Sequence, residues 1–282
     1  MKQIEDDFRG QGGLNLYYQC WLPSQKPKAV LVLVHGLAEH SGRYGNVVDY
    51  FVSRGYAVCG LDHRGHGKSQ GLPGYVKRFS HFVSDLVDFL DIVRRLFPQA
   101  RIVAVGHSVG GTIAAAGAAQ APEKLDGLIL SGTFVKPGAS LSPAKIMAAQ
   151  LLSLLLPKMG VDTIDATAIS QDEAVVRAYV NDPLVYHGKI SARLGAEIIA
   201  AMRRLPGEIA GLTLPILIMH GSEDRLSRPE GSRLLYERAC PKHKTLKLYP
   251  GFHHELFNEP GRRQVFEDME RWLDVDKPPG QG

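Results

Sequence analysis

The chain has few cysteines, and their spacing excludes the usual cysteine-built sites. Its 282 residues include three, Cys20, Cys59 and Cys240, which lie far apart and form no C-x-x-C pair. Disulfide frameworks and metal sites show paired or compact spacings. We therefore expect three reduced thiols in a cytoplasmic protein, because disulfides are rare in that compartment.

The chain also lacks a strong excess of one charge and long apolar runs. Its formal net charge is +4, too mild and too dispersed to predict nucleic acid as a partner. No window reaches the roughly 18 uninterrupted apolar residues of a membrane-spanning helix. The opening MKQIEDDFRG is polar and has no apolar signal-peptide core. The composition, 44% apolar, instead predicts one large globular domain.

Six short apolar runs, rich in Val, Leu and Ile, predict buried strands of a parallel sheet. They are residues 29–36, 56–65, 101–108, 125–132, 214–224 and 244–251. Helical patterns, such as residues 47–54 and 79–97, lie between them, and this alternation predicts an α/β doubly wound fold. An earlier run, LNLYYQCWLP at 14–23, alternates more and predicts an antiparallel edge strand.

One long segment interrupts the alternation of predicted strands and helices. From about Thr133 to Leu212 no strong strand pattern occurs, and the segment includes the apolar helical stretch at 142–160. We interpret the gap as a helical lid inserted into the fold. The predicted divisions are core 1–134, lid 135–210, core 211–275 and a frayed polar tail at 276–282.

A serine stands in the turn after one of the predicted strands. Residues 106–110 read Gly-His-Ser-Val-Gly, a G-x-S-x-G pattern, and the next residues predict a helix. In a nucleophile elbow, such a turn holds the serine hydroxyl clear of the sheet, and flanking glycines avoid a backbone clash. The pattern predicts Ser108 as nucleophile and the N–H of Val109 as one oxyanion donor. The alternatives are an incidental serine in a Gly-rich turn and a phosphate-binding turn, although the dinucleotide pattern G-x-G-x-x-G is absent.

The second oxyanion donor is expected from the loop after the neighbouring strand. The strand at 30–34 continues into HGLAEHSGRY, residues 35–44, where Leu37 is placed to donate its N–H. The preceding His-Gly pair would let the backbone approach the serine. Because this pair also fits an ordinary loop, the prediction depends on its combination with Ser108.

Four motifs together resemble one family of enzymes. They are HGLAEHSGRY (35–44), DHRGHGKSQG (62–71), GHSVGG (106–111) and GSEDRL (221–226). They resemble the monoacylglycerol lipase family, with its lysophospholipase-like relatives, over nearly the whole chain. The resemblance implies an α/β-hydrolase fold: a mostly parallel central sheet, helices on both faces and a helical lid. Val109 follows the nucleophile where many relatives have methionine, but only its backbone N–H is used.

A serine nucleophile needs a base, and in this fold the chain order is serine, acid, histidine. The resemblance implies that Asp224, in the GSED sequence after a predicted strand, is the acid that holds the histidine. Its neighbour Glu223 is the alternative acid.

Two adjacent histidines compete for the role of base. Residues 251–255 read Gly-Phe-His-His-Glu, just after a predicted strand. The residues alone leave His253 and His254 nearly equal, because neighbours in an extended loop point to opposite sides. The family's G-x-x-H-E pattern implies that His254 is the base and that His253 packs in the loop.

The apolar stretch IMAAQLLSLLL, residues 146–156, predicts a helix that either packs at the sheet edge or lines a lipid site. The resemblance implies a lid over a hydrophobic tunnel, with Ile146 and Leu151 as substrate contacts. The outer face of this lid would then contact a membrane or micelle. Glu39 and Arg43 are predicted near the glycerol end, as polar substrate contacts or, in preference, as braces of their loop.

The resulting prediction is a serine hydrolase that cleaves a lipid ester, a monoacylglycerol, through an acyl-enzyme and without a cofactor. A broader carboxylesterase or lysophospholipase is the alternative among enzymes. A non-catalytic lipid-binding module on the same fold is the alternative from another class. A metal site is not expected, because the loop histidines lack H-E-x-x-H or C-x-x-C spacing. We expect a cytoplasmic protein whose lid makes a peripheral contact with membranes.

Overall fold

The computed structural model describes residues 1–137, 142–240 and 244–275. In these ranges the strands are β1 Lys2–Arg9, β2 Asn15–Leu22, β3 Val30–Val34, β4 Ala57–Leu61, β5 Ile102–His107, β6 Gly127–Ser131, β7 Gly160–Asp162, β8 Ile190–Ser191, β9 Ile216–Gly221 and β10 Lys244–Tyr249. The α-helices are α1 Gly45–Val52, α2 Ser80–Leu96, α3 Val109–Gln120, α4 Pro143–Leu155, α5 Glu173–Asn181, α6 Ala192–Ala210, α7 Pro229–Arg238 and α8 Arg262–Val275. The predicted tail, 276–282, lies outside the described residues.

The central sheet has eight strands in the order β1-β2-β4-β3-β5-β6-β9-β10. From β4 to β10 all neighbouring strands are parallel, and they are the six strands predicted from the apolar runs. Because parallel strands end at the same edge, the loops after β3, β5, β9 and β10 meet there. This is the edge at which ligands bind in open α/β sheets.

Helices cover both faces of the sheet, as predicted. Along β3, Val30, Val32 and Val34 pack into the apolar cluster that contains α2, α3 and α6. Leu31 and Leu33 pack into the opposite cluster, which contains α1 and α8. Since successive strand residues point to opposite faces, an unbroken apolar strand requires cover on both sides.

The prediction of an antiparallel edge strand at 14–23 was partly wrong. Strand β2 is antiparallel to β4, but β1 pairs with it along its full length and forms the edge. The sequence of β1, KQIEDDFR, contains only Ile4 and Phe8 as apolar residues, and these two pack against the core. A mostly charged strand suits an exposed sheet edge, because charge opposes pairing with another chain.

The expectation of three reduced thiols was wrong for two of them. Cys20 and Cys59 form a disulfide, whereas Cys240 is free and exposed. The reason is register: Cys20 of β2 lies directly opposite Cys59 of β4 in the antiparallel pair. Because the two cysteines are 39 residues apart in sequence, their spacing does not predict this bond. The predicted cytoplasmic location no longer has reduced thiols as its support.

The segment between β6 and β9 contains α4, α5, the small β7–β8 pair and α6. Helix α6 is part of the core, because Leu194, Leu205 and Ile209 are buried against the main apolar cluster. Helix α4 packs on α6 and lies outside that core. The predicted divisions at 134 and 210 stay a prediction. In the described ranges, no helix combines the length and apolarity needed to span a bilayer.

Candidate active site

Ser108 occupies a strained turn between β5 and α3. Its backbone angles are φ 54° and ψ −123°, a conformation that non-glycine residues rarely adopt. A Cβ atom at Gly106 would lie 2.6 Å from the Cα of Gly111, and one at Gly110 would collide with the carbonyl oxygen of Val34. The two predicted glycines therefore permit the close approach of strand and helix.

Hydrogen bonds from two sides hold this turn in place. The N–H of Ser108 donates to the carbonyl of Ser131 over 2.9 Å, and the carbonyl of Ser108 accepts from Gly111 at 3.0 Å and Phe134 at 3.2 Å. Strained backbone persists only where the surroundings fix it in this way, and it is concentrated at functional sites.

Asp224 and His254 form a buried pair at the same edge of the sheet. His254 Nδ1 lies 2.6 Å from Asp224 Oδ2. The other carboxylate oxygen accepts the backbone N–H groups of Leu226 and Ser227, both at 2.9 Å. The structure thus places His254, and not His253, against an acid that the loop after β9 holds rigidly.

The two alternatives to this pair point elsewhere. Glu223 is exposed and accepts from the hydroxyl of Ser222. His253 lines a separate pocket beside residues 167–177, and its buried Nδ1 has no hydrogen-bond partner. His253 and His254 therefore project into two different cavities, as expected for neighbours in an extended loop.

Asp224 and His254 each shift the pKa of the other. Burial by itself lowers the pKa of His254, but the adjacent Asp224 carboxylate outweighs burial and raises this pKa above its usual value. Burial raises the pKa of Asp224, yet the contacts with His254 and His220 hold it well below its usual range. Asp224 is therefore a carboxylate at neutral pH and stabilises an imidazolium at His254.

Ser108 and His254 line one cavity of about 740 Å³. The ring of His107, next to the serine in sequence, lies 4.7 Å from the ring of His254, centroid to centroid. Burial lowers the pKa of His107 to about 3, so this ring is neutral and does not compete as a base near pH 7. The serine and the paired histidine thus border the same cavity.

The loop after β3 borders the same cavity. A Cβ atom at Gly36 would lie 3.2 Å from the Cβ of Ser108, so the loop backbone contacts the serine. The predicted donors Leu37 and Val109 both line the cavity. Ala38 has a positive φ of 67°, and its carbonyl accepts from the N–H of Tyr186 over 2.8 Å.

Glu39 and Arg43 form an ion-paired network beneath this loop. Glu39 accepts the N–H of Gly36 over 2.6 Å, and its other oxygen lies 2.8 Å from Arg43. Arg43 also forms a bidentate pair with Glu255, at 2.7 and 2.9 Å. Arg43 is therefore engaged as a brace. The sequence analysis missed Glu255 because its partner lies 212 residues away.

Helix α4 supplies one apolar wall of the cavity. Ile146 and Leu152 line it, together with Ile198 and Ile199 of α6. The predicted contact Leu151 does not border the cavity: its side chain is 60% exposed. Ile146 thus fits its predicted place, whereas Leu151 lies on the outer face of the same helix.

The loop histidines are packed side chains. His35 Nε2 accepts the N–H of His63 over 2.9 Å, and their rings lie 4.1 Å apart. Burial lowers the pKa of His63 to about 3, which keeps this ring neutral. Across the described parts of the chain, no group of three or more His, Cys, Asp or Glu residues is arranged to hold a metal ion.

The chain is similar to known hydrolases over most of its length. The family described as serine aminopeptidase, S33, matches residues 25–261. The chain is 40% identical to a monoacylglycerol lipase from Mycolicibacterium smegmatis, over 95% of this chain and 96% of that protein. It is 35% identical to the monoglyceride lipase of Rattus norvegicus, over 93% of this chain and 87% of that protein.

A solved structure shares the whole fold. The crystal structure of Paleococcus ferrophilus monoacylglycerol lipase superposes with a TM-score of 0.81 at 28% identity, covering 98% of this chain and 100% of that one. The match to the family profile and the similarity to lipases extend over nearly the full sequence. The chain therefore belongs to this family of α/β-hydrolases and, within it, to the group that contains the monoacylglycerol lipases.

Proposed function

We propose that the chain hydrolyses the ester bond of monoacylglycerols, giving glycerol and a fatty acid. The observation that carries the proposal is a single cavity that contains Ser108 and the Asp224-paired His254 and has a long apolar wall. The names of the relatives at 40% and 35% identity support the choice of substrate.

In the proposed reaction, His254 removes the proton of the Ser108 hydroxyl as its oxygen attacks the ester carbonyl. The negative charge moves to the carbonyl oxygen, where the N–H groups of Leu37 and Val109 are the proposed donors. Asp224 stabilises the imidazolium. His254 then returns the proton to the leaving glycerol oxygen, and an acyl-enzyme remains.

Water completes the cycle by the same route. His254 takes a proton from a water molecule, whose oxygen attacks the acyl carbonyl, and then returns it to Ser108 as the fatty acid departs. Neither half-reaction requires a cofactor, because every proton moves between the serine, the histidine, water and substrate.

The lining of the cavity supports a substrate with one apolar and one polar end. Apolar side chains of α4 and α6, such as Ile146, Leu152 and Ile198, suit an acyl chain. Glu39, Tyr179 and Glu255 border the cavity on a polar side. Arg43 pairs with the carboxylates of Glu39 and Glu255. We therefore propose that Glu39 braces its loop and also shapes the end of the cavity that binds glycerol.

The outer face of α4 supports a peripheral contact with a membrane or micelle. Leu154 and Leu155 are 75% and 70% exposed, and Met147 and Leu151 lie on the same exposed helix. Contiguous exposed apolar side chains mark surfaces that bind proteins or lipid. Because the opposite face of α4 lines the cavity, contact at this helix would bring lipid to the site.

The test is a hydrolysis panel with the wild-type chain and Ser108→Ala. It contains mono-, di- and triacylglycerols, a lysophospholipid, a short nitrophenyl ester and, because of the family's description, an aminoacyl anilide. We expect the highest kcat/KM on monoacylglycerol and a loss of several orders of magnitude in Ser108→Ala. Equal rates on triacylglycerol, or a preference for the lysophospholipid or the anilide, would contradict the substrate. A fully active Ser108→Ala would contradict the mechanism.

A further inference from the structure

A second histidine contacts the proposed catalytic acid. His220 is the fifth residue of β9 and is completely buried. Its Nε2 lies 3.0 Å from Asp224 Oδ2, the same oxygen that contacts His254. The mechanism proposed above does not use this ring, although it touches the acid directly.

The partners of His220 determine which of its nitrogens carries a proton. Nε2 lies 2.9 Å from the carbonyl oxygen of Ser227 as well as beside Asp224 Oδ2, and both atoms are acceptors. Nε2 must therefore be protonated. Nδ1 lies 2.7 Å from the hydroxyl of Ser232, which can donate to it. The N–H donates to the carbonyl of Ser227, and it lies close enough to Asp224 Oδ2 to place its partial positive charge beside that oxygen without a net charge on the ring.

His220 connects three elements that fix the acid. Its backbone lies in β9, opposite Leu248 of β10, and its ring reaches Ser232 of α7 and Ser227 of the intervening loop. The N–H of Ser227 in turn donates to Asp224 Oδ1. Both oxygens of Asp224 are thereby held by the strand and the loop that surround His220.

We propose that His220 is a positioning residue of the catalytic mechanism: its Nε2–H, held by the carbonyl of Ser227 at 3.0 Å from Asp224 Oδ2, stabilises the negative charge of that oxygen and keeps it beside His254. The inference rests on the proposed role of Asp224 and His254 as acid and base. It adds a fourth side chain, joined to the serine through two others. Because the N–H withdraws charge from Oδ2, it also limits how strongly Asp224 favours the imidazolium form of His254.

The acid limb of the pH profile reports this role. His254 acts as a base only when neutral, so activity falls as pH drops through its pKa. The charged or titratable groups that influence His254 are Asp224, Glu255, Glu39 and the ring of His107. Without the N–H of His220, Asp224 would attract the imidazolium more strongly. The pKa of His254 would rise, and the acid limb would move to higher pH.

The experiment compares His220→Leu with His220→Gln, using a short nitrophenyl ester. We expect His220→Leu to lower kcat by roughly tenfold, because the hydrogen bond to Ser227 and the partial positive charge beside Asp224 are both lost, and to move the acid limb to higher pH. His220→Gln keeps an N–H donor and should recover most of both. Proton NMR at low pH should show the deshielded Nδ1–H resonance of His254 shifted in His220→Leu alone.

Two further variants keep the test decisive. His63→Leu removes another buried histidine that contacts His35 and not Asp224, so it should change only the melting temperature. If His220→Leu does not fold, Ser232→Ala loosens the same ring and should move the limb in the same direction by less. The inference is wrong if folded His220→Leu has an acid limb that stays in place or moves to lower pH. If His220→Leu does not fold, the same result in Ser232→Ala would overturn it. So would the absence of recovery in His220→Gln.

The nitrophenyl ester separates this inference from the proposed substrate. If monoacylglycerols prove to be poor substrates, the ester still reports on Ser108 and His254. If Ser108→Ala retains activity, the proposed mechanism fails first, whatever His220→Leu does.

Discussion

At the scale of single residues, the site depends on side chains whose neighbours leave them little freedom. His254 is buried against Asp224 and the ring of His107, and Asp224 accepts four contacts from the chain around it. In the proposed mechanism, such fixed geometry lets a weak nucleophile react, because the base and the stabilising carboxylate are in place before substrate arrives. The preceding residue, His253, has none of these contacts.

The two adjacent histidines therefore give a sharp comparison. We expect His254→Ala to lose several orders of magnitude in kcat on any ester, because the base is gone, while a residual rate remains from the rest of the site. His253→Ala should keep kcat within a few fold. Steady-state kinetics on a nitrophenyl ester measures both, and circular dichroism checks that both variants fold. An inactive His253→Ala with an active His254→Ala would reverse the assignment.

At the scale of elements, helix α4 has two apolar faces with different environments. Ile146 and Leu152 face the cavity, whereas Leu154 and Leu155 face solvent. An amphipathic helix on the surface of a globular protein usually buries its apolar face and presents polar groups to solvent. Leaving the second face apolar costs free energy in water, and contact with lipid would remove that cost.

Charged substitutions on the outer face test this interpretation. We expect Leu154→Lys and Leu155→Lys together to lower the rate on monoacylglycerol in vesicles by at least tenfold, because burial of even one leucine side chain at the membrane contributes about 1.5 kcal/mol. The rate on a soluble nitrophenyl ester should not change. Vesicle co-sedimentation with the Ser108→Ala background measures binding directly.

A matched control is available on another helix. Val180 of α5 is also exposed, at 52%, so Val180→Lys adds a charge without altering α4. If the α4 variant binds and hydrolyses vesicle substrate as the wild type does, the membrane contact lies elsewhere on the molecule.

At the scale of the whole molecule, one covalent link joins the N-terminal antiparallel strands to the parallel core. The Cys20–Cys59 disulfide connects β2 to β4 across the sheet, and neither cysteine borders the cavity. Its effect is expected on the unfolded chain, where it closes a loop of 39 residues in sequence. It should therefore contribute to stability and not to the chemistry.

Removing this disulfide should lower stability alone. We expect Cys20→Ser with Cys59→Ser to reduce the free energy of unfolding by about 3–4 kcal/mol, the value for a loop of this length. Denaturant titration measures the change, kcat should stay the same, and Cys240→Ser is the control for loss of an exposed thiol. A reducing agent that leaves the wild-type midpoint unchanged would show that the cysteines are reduced in solution.

Local sequence was enough to predict the six parallel strands of the core and the turn at Ser108. Buried strands need unbroken apolar runs, and a nucleophile elbow needs its glycines, so both are visible in local sequence. The choice of His254 over His253 came from the family's pattern, since the two residues look alike in isolation. Tertiary structure alone decided the Cys20–Cys59 bond, the bracing of Arg43 by Glu255 and the contact of His220 with Asp224. Each of these contacts joins residues that are far apart in sequence or lie on different elements. They form only when the fold brings those strands, helices and loops together, so local sequence does not predict them.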